Sequence, residues 1–239
     1  MMCITILPPP PFFCKLTLRN GEVVDIEGSG ELTRAMISGY SATCVSVEVG
    51  TLCTSIGAVA FGYCSSLSSI TIPNGITNIG NSAFLQCTGL SSITIPDSVT
   101  SIGNNVFASC SNLSSITIPS GVTNIDNNVF AYCSSLSSIT IPDSVTIIGN
   151  YTFSGCRSLS SINIPSGVTN IGQNAFNGCS SLSAITSLAA TAPTIANTTF
   201  GNVGSDGTLY VPQGSSGYDV WMGSGDYYLG KYGWTKVEQ

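Results

Sequence analysis

Histidine is absent from the 239 residues, which removes imidazole general bases, imidazole metal ligands and every triad built on them. Charge is scarce too. Asp, Glu, Lys and Arg make up 8% of the chain, about a third of the usual share, and Ser, Thr, Gly and Asn take their place. Six basic against twelve acidic residues leave no basic stripe to displace counter-ions from a nucleic acid or an anionic membrane. Neither partner is expected. The start, MMCITILPPPPFF, has no basic n-region and its apolar run stops at Pro8, too short for an ordinary signal peptide or a membrane helix. No secretion route and no membrane insertion are expected on that ground. Disorder is excluded from the other side, because 43% of the residues are hydrophobic, many of them Ile and Val, and the net charge is only −6.

What is present is a repeat. Leu67, Leu90, Leu113, Leu136, Leu159 and Leu182 recur every 23 residues, as do Phe61, Phe84, Phe107, Phe130, Phe153 and Phe176. Cys64, Cys87, Cys110, Cys133, Cys156 and Cys179 follow each Phe by three residues, and Pro73, Pro96, Pro119, Pro142 and Pro165 form a fourth series. Upstream, Cys44, Val47, Val49, Cys53, Ile56 and Phe61 fill the Leu, Ile, Ile, Val, Ile and Phe slots. Downstream, after a one-residue insertion, Phe200 and Val203 resume the Phe and Cys slots and Leu209-Tyr210-Val211-Pro212 stands for Ile-Thr-Ile-Pro.

In each coil the Ile-Thr-Ile piece predicts a short strand with both Ile inward, ended by a Pro that cannot donate to a ladder. The Asn after the Ile-Gly pair (Asn81, Asn104, Asn127) suits an N-cap, and the Ala or Val, Phe and Cys set suits a short helix or 3₁₀ segment on the opposite side. Asp126 replaces the Gly of that pair, at a position expected to need a left-handed backbone. One coil cannot bury its apolar side chains alone, but coils stacked at ~4.8 Å bury one another's. The expected fold is an α/β solenoid of about eight short parallel strands with helical or 3₁₀ turns, concave on the strand side. A three-sided β-helix is the alternative.

Three segments follow. Residues 1–43 are read as an N-terminal hairpin on the Asn20-Gly21 turn plus a cap, with a short helix over Glu31 to Ile37. Residues 44–200 are the solenoid, and 201–239 a last strand with an aromatic-rich cap. Tyr210, Tyr218, Trp221, Tyr227, Tyr228, Tyr232 and Trp234 either close the last coil or form a ligand patch, which makes Tyr218 and Trp221 candidate partner contacts.

Chemistry-bearing groups do not converge. One Cys per coil makes a straight ladder rather than a metal cage, so buried free thiols are expected, with no metal and no cofactor. Cys3 and Cys14 lie outside the register, and their pairing stays open. Asp97 and Asp143 share a turn slot two coils apart, with Ser120 between them, and turn chemistry explains both better than a paired acid does. The remaining candidate surface is the strand face, with Ser69 and Thr71, Ser92 and Thr94, Ser115 and Thr117, Ser138 and Thr140, and Ser161 and Asn163. These hydroxyls either stiffen the sheet by cross-strand hydrogen bonds or meet a partner. Ice binding is disfavoured by curvature and by Asn163. Glycan binding there is disfavoured by the lack of a ring along the face.

The pattern LxxIxIPxxVxxIGxxxFxxC, as in Leu90 to Cys110, resembles the BspA-like class of bacterial leucine-rich repeats over about residues 44 to 200. The LYVP piece and late Gly-Trp of the tail look like that family's closing segment. The resemblance implies a leucine-rich-repeat fold, no catalytic residues, and surface proteins of bacteria or protists that bind matrix proteins or cells, with similar repeats in bacteriophage proteins. The expected function is therefore a non-catalytic interaction or adhesion module for a protein or glycan. A component assembled into a phage particle is the alternative, and a glycan-active enzyme a distant third. The location stays open between bacterial cell surface, virion and cytoplasm.

Overall fold

The structure, a computed structural model, describes residues 11–239. The Ile-Thr-Ile pieces are strands stacked in parallel: Cys44–Val49, Ser69–Thr71, Ser115–Thr117, Ser138–Thr140, Ser161–Ile164, Ala184–Ser187 and Thr208–Val211, followed by Thr235–Glu238. The pairing keeps the repeat register, with Val47 on Ile70, Ile116 on Ile139, and Ile185 on Leu209 across the insertion. One coil departs from this: Ile93 to Ile95 form no strand, and that coil is tied in by a bridge between Ser92 and Ser115.

Each coil also carries a second parallel rung, two residues long in most coils. Gly30–Leu32, Cys53–Ile56, Asn78–Ile79 and Ser101–Ile102 make one ladder, and Asn124–Ile125, Ile147–Ile148, Asn170–Ile171 and Thr194–Ile195 another. Thr100, Thr146 and Thr169 reinforce them by donating Oγ1 hydrogen bonds to Thr77, Thr123 and Thr146 carbonyls one coil back. Sequence patterning misses this sheet because two residues are too few for an alternation to register.

The third side, read from sequence as helical, is a tight turn. Ala60, Gly62 and Cys64 donate back to Gly57, Val59 and Phe61, whereas Val59, Phe61 and Tyr63 donate to Asn81, Ala83 and Leu85 of the next coil. A helix would spend every amide along its own axis; here alternate amides are turned to the neighbouring coil, and those links win. Left-handed residues four apart bracket the turn, as Asn105 and Ser109 do with φ of 58° and 60°. The asparagines are not N-caps either. Asn81, Asn104 and Asn127 accept, through Oδ1, the main-chain N–H of Asn104, Asn127 and Asn150 at 2.7 to 3.1 Å, which makes a ladder of side-chain amides.

The left-handed backbone expected at the Ile-Gly slot is not there. Those glycines answer a close approach instead: a Cβ on Gly149 would stand 2.7 Å from Asp126 C and 2.8 Å from Asn127 N. Asp126 in the same slot is half-buried, and desolvation raises its carboxyl above the ordinary range.

Inside the turns, Phe61, Phe84, Phe107, Phe130, Phe153, Phe176 and Phe200 form one column of rings, 5.4 to 5.7 Å between centroids and within 12° of parallel. Because these rings are equivalent by the repeat, their separation measures coil spacing on this side. It exceeds the strand spacing of ~4.8 Å, so the stack curves with the strand face inward.

The N-terminal end is covered by the antiparallel hairpin Cys14–Leu18 and Val23–Ile26, whose first strand pairs with Cys44–Val49. The helix expected over Glu31 to Ile37 is shorter, Arg34–Ile37, because Gly30–Leu32 joins the second ladder beside Cys53–Ile56 and buries Leu32. Arg34 reaches the Gly62 carbonyl at 2.7 Å. At the other end Trp221 tilts onto Phe200 at 5.3 Å and closes the column.

Truncating a ring in mid-column leaves a void that rigid neighbours cannot fill. Phe107→Ala is expected to cost ~3–5 kcal/mol in reversible denaturation, and a loss below about 1 kcal/mol would mean that the column is not core.

Candidate functional site

The strand face forms an open groove of about 480 Å³ lined by Ser92, Thr94, Asp97, Ser115, Thr117, Ser138 and Thr140 over a floor of Ile93, Ile116 and Ile139. The strand alternation aims Ser and Thr outward while Ile turns in. Ser69, Thr71, Ser92, Thr94, Ser115, Thr117, Ser138, Thr140, Ser161 and Asn163 are all exposed.

The two roles left open for these hydroxyls separate at the level of hydrogen bonds. Ser69 donates to Ser46 Oγ at 3.1 Å. Among the described residues, no side-chain hydrogen bond engages Thr71, Ser92, Thr94, Ser115, Thr117, Ser138, Thr140 or Asn163. Cross-coil stiffening is done one residue earlier, where Ser68, Ser114 and Ser137 donate to the Val45, Ser91 and Ser114 carbonyls at 2.9 to 3.2 Å. The outward hydroxyls therefore keep their donors and acceptors for water or a partner.

Tyr218 and Trp221 do not belong to a partner surface. Both are buried, at 1% and 0% exposure. Tyr218 donates its hydroxyl hydrogen within reach of Ser187 Oγ (2.7 Å) and the Ala189 carbonyl (2.8 Å), and Trp221 Nε1–H donates to the Pro193 carbonyl at 3.1 Å. Their rings close the last coil, and a partner could reach them only by unfolding it. Composition marks the aromatic cluster but not the direction of its rings.

Asp97 and Asp143 are exposed in their turns, a setting without the burial that a paired general acid requires. The nine cysteines among the described residues are free and buried; Cys3 lies outside those residues. The thiols do more than fill space. Cys87, Cys110, Cys133, Cys156 and Cys179 each aim Sγ at the Phe carbonyl one coil back, at 3.0 to 3.2 Å. Val203 fills the same slot without that link, so sequence shows only a small apolar position. Among the described residues no group of three His, Cys, Asp or Glu side chains is placed to hold a metal ion, and no helix is long and apolar enough to cross a membrane.

Parallel strands on a 23-residue repeat, a buried Leu-Ile-Phe core and turns with few helices define a leucine-rich-repeat solenoid. The family model for the BspA type Leucine rich repeat region matches residues 40–156 and 123–216 in six copies, and the chain belongs to that family. A leucine rich cell surface protein from Faecalibacterium prausnitzii A2-165 is 29% identical with a TM-score of 0.60, over 80% of this chain and 60% of its own. The T. pallidum Leucine Rich Repeat protein is 30% identical with a TM-score of 0.63, over 66% and 76%. A leucine-rich repeat protein from Bacteroides ovatus ATCC 8483 is 26% identical with a TM-score of 0.53, over 81% and 54%. The chain thus spans little more than half the length of the first and third. No curated protein sequence matches it.

Burial pushes the Cys133 and Cys179 thiols up to about 12 from an ordinary value of 9.0. Below pH 9 these thiols are neutral both folded and unfolded, so their contribution is fully present. As pH climbs from 9 toward 12, only the unfolded chain ionises them, and stability is lost across that window. Denaturation midpoints should therefore fall on going from about pH 8 to about pH 10, and fall less in Cys133→Ala/Cys179→Ala. An equal fall in both proteins would show that the ladder does not set the pH dependence.

Proposed function

We propose that this chain is a non-catalytic recognition module whose strand face, from Ser92 to Thr140, receives the polar surface of a partner macromolecule. The observation that carries this reading is the row of exposed hydroxyls without internal hydrogen bonds, beside a neighbouring Ser row that does the structural work. Asp97 is the one charged residue lining the groove, so shape and hydrogen bonding rather than ion pairing would select the partner. No ring lies between Ser92 and Thr140, the ring on this face being Tyr210 in the Thr slot three coils beyond Thr140, which favours a protein over a glycan at this stretch. The F. prausnitzii neighbour is a cell surface protein, which agrees with recognition at an exterior surface.

Thr94→Arg/Thr117→Arg plants two long cations in the groove at exposed positions, without touching the core. Against a panel of immobilised host matrix proteins, the unaltered chain should be retained, and the double variant should bind at least about tenfold more weakly at an unchanged melting temperature. Equal binding by both, or retention on none of the panel, would contradict this function. Turnover in a broad glycosidase and esterase screen would overturn its non-catalytic part.

A further inference from the structure

The turn side of the solenoid carries rings that packing does not explain. Tyr63, Tyr132 and Tyr151 are 53%, 63% and 37% exposed, and each sits on left-handed backbone, with φ of 64°, 60° and 56°. A bulky side chain is disfavoured there. Across the coils the first of these slots holds Tyr63, Gln86, Ser109, Tyr132, Gly155 and Gly178, and the second Val59, Ser82, Asn105, Asn128, Tyr151 and Asn174, so small or carboxamide residues serve most of the coils. Where Ser, Gly or Asn suffices in other coils, these three place a ring on left-handed backbone and leave it in water.

The surroundings of Tyr132 suggest what such a ring meets. It leans over the next coil, where a Cβ on Gly155 would stand 2.7 Å from Cδ1 and 3.3 Å from Cε1, so any residue but glycine would push it away. Beyond lies Gly178, whose Cβ would meet only Gly155 backbone at 3.7 Å, which leaves an open shelf two coils wide. Amides border it: Asn177 Nδ2 donates to Asn174 Oδ1 at 3.3 Å, and Asn202 Nδ2 donates to Asn177 Oδ1 at 3.2 Å. In the six turn segments 58–66, 81–89, 104–112, 127–135, 150–158 and 173–181, Arg157 is the one charged residue.

We propose that this side is a second binding surface, a tyrosine platform for a neutral polysaccharide running along the solenoid axis. A rigid ring offers a flat apolar face with a polar tip at low entropic cost, which matches the C–H face and rim hydroxyls of a sugar, and carboxamides bond the remaining hydroxyls. Tyr63 and Tyr132 occupy one slot three coils apart, so a chain spans them and a single sugar does not. The near absence of charge selects a neutral glycan over an acidic one. This surface is separate from the strand face and does not depend on it.

The test uses the left-handed geometry to separate folding from binding. Tyr63→Gly/Tyr132→Gly/Tyr151→Asn installs the residues that the chain itself uses at these slots, so the melting temperature should stay level or rise. Sedimentation with cellulose and chitin, and affinity gels with mannan and mixed-linkage β-glucan, should show the unaltered chain retained on at least one of the four. The triple variant should lose about tenfold or more in affinity. Tyr132→Phe, which keeps the ring, and Thr94→Arg/Thr117→Arg, on the strand face, should both bind as the unaltered chain does. Retention on none of the four, undiminished retention of the triple variant, or retention only on acidic polysaccharides such as alginate would each overturn the proposal.

Discussion

No coil of this chain can bury its own apolar side chains, so each depends on main-chain and ring contacts with the coil before and after it. Those contacts run on every side. Strand rungs join the Ile-Thr-Ile face, two-residue rungs join the flank, and amides at alternate turn positions join the Phe side. The phenylalanine column, the thiol-to-carbonyl links and the Asn ladder then run the length of the stack in parallel. Where the repeat stops, the same demand has to be met by other means. A hairpin and Arg34 close one end, and Tyr218 and Trp221 close the other.

This division of labour sets what the surfaces can do. Structural hydrogen bonding on the strand side is concentrated in Ser68, Ser114 and Ser137, and the hydroxyls of Ser115 and Ser138, one residue further on, are left without a side-chain hydrogen bond, whereas Ser69 bonds Ser46. On the turn side, links to the next coil use two left-handed positions in most coils, and the side chains there are exposed or half-buried except for Asn174. Both surfaces are therefore spare with respect to the fold, and substitutions on either can change binding at little cost in stability. The scarcity of charge has the same root: neighbouring coils place equivalent side chains about 5 Å apart, so a charged residue repeated in one slot would meet its own copy in the next coil.

Much of the fold is legible in sequence, because a strict 23-residue period turns one guess about a coil into many concurrent ones. Leu67, Ile70, Ile72, Phe61 and Cys64 are buried as their slots require, and Val47 and Leu209 occupy the Ile slots that the extended register assigns them. What sequence does not convey is the direction of hydrogen bonds between coils. Asn81 resembles an N-cap in composition and is a rung in fact, the Phe turn resembles a helix, and the Gly of the Ile-Gly pair reflects the closeness of the preceding coil rather than its own φ. The candidate sites follow the same rule. Ser92 to Thr140 were legible as an outward row from strand alternation alone, whereas Tyr218 and Trp221 needed the packing of the last coil. Nothing in the repeat pattern marks Tyr63, Tyr132 and Tyr151, whose left-handed backbone and exposure belong to the three-dimensional structure.

If stacking in register is what holds the molecule together, removing one whole repeat should shorten it without breaking it. Deletion of residues 113–135 rejoins Asn112 to a leucine, Leu136, and leaves every slot aligned. Thermal melting of that variant by circular dichroism should show a single cooperative transition, somewhat below that of the full chain. Failure to fold, or two separate transitions, would contradict the account.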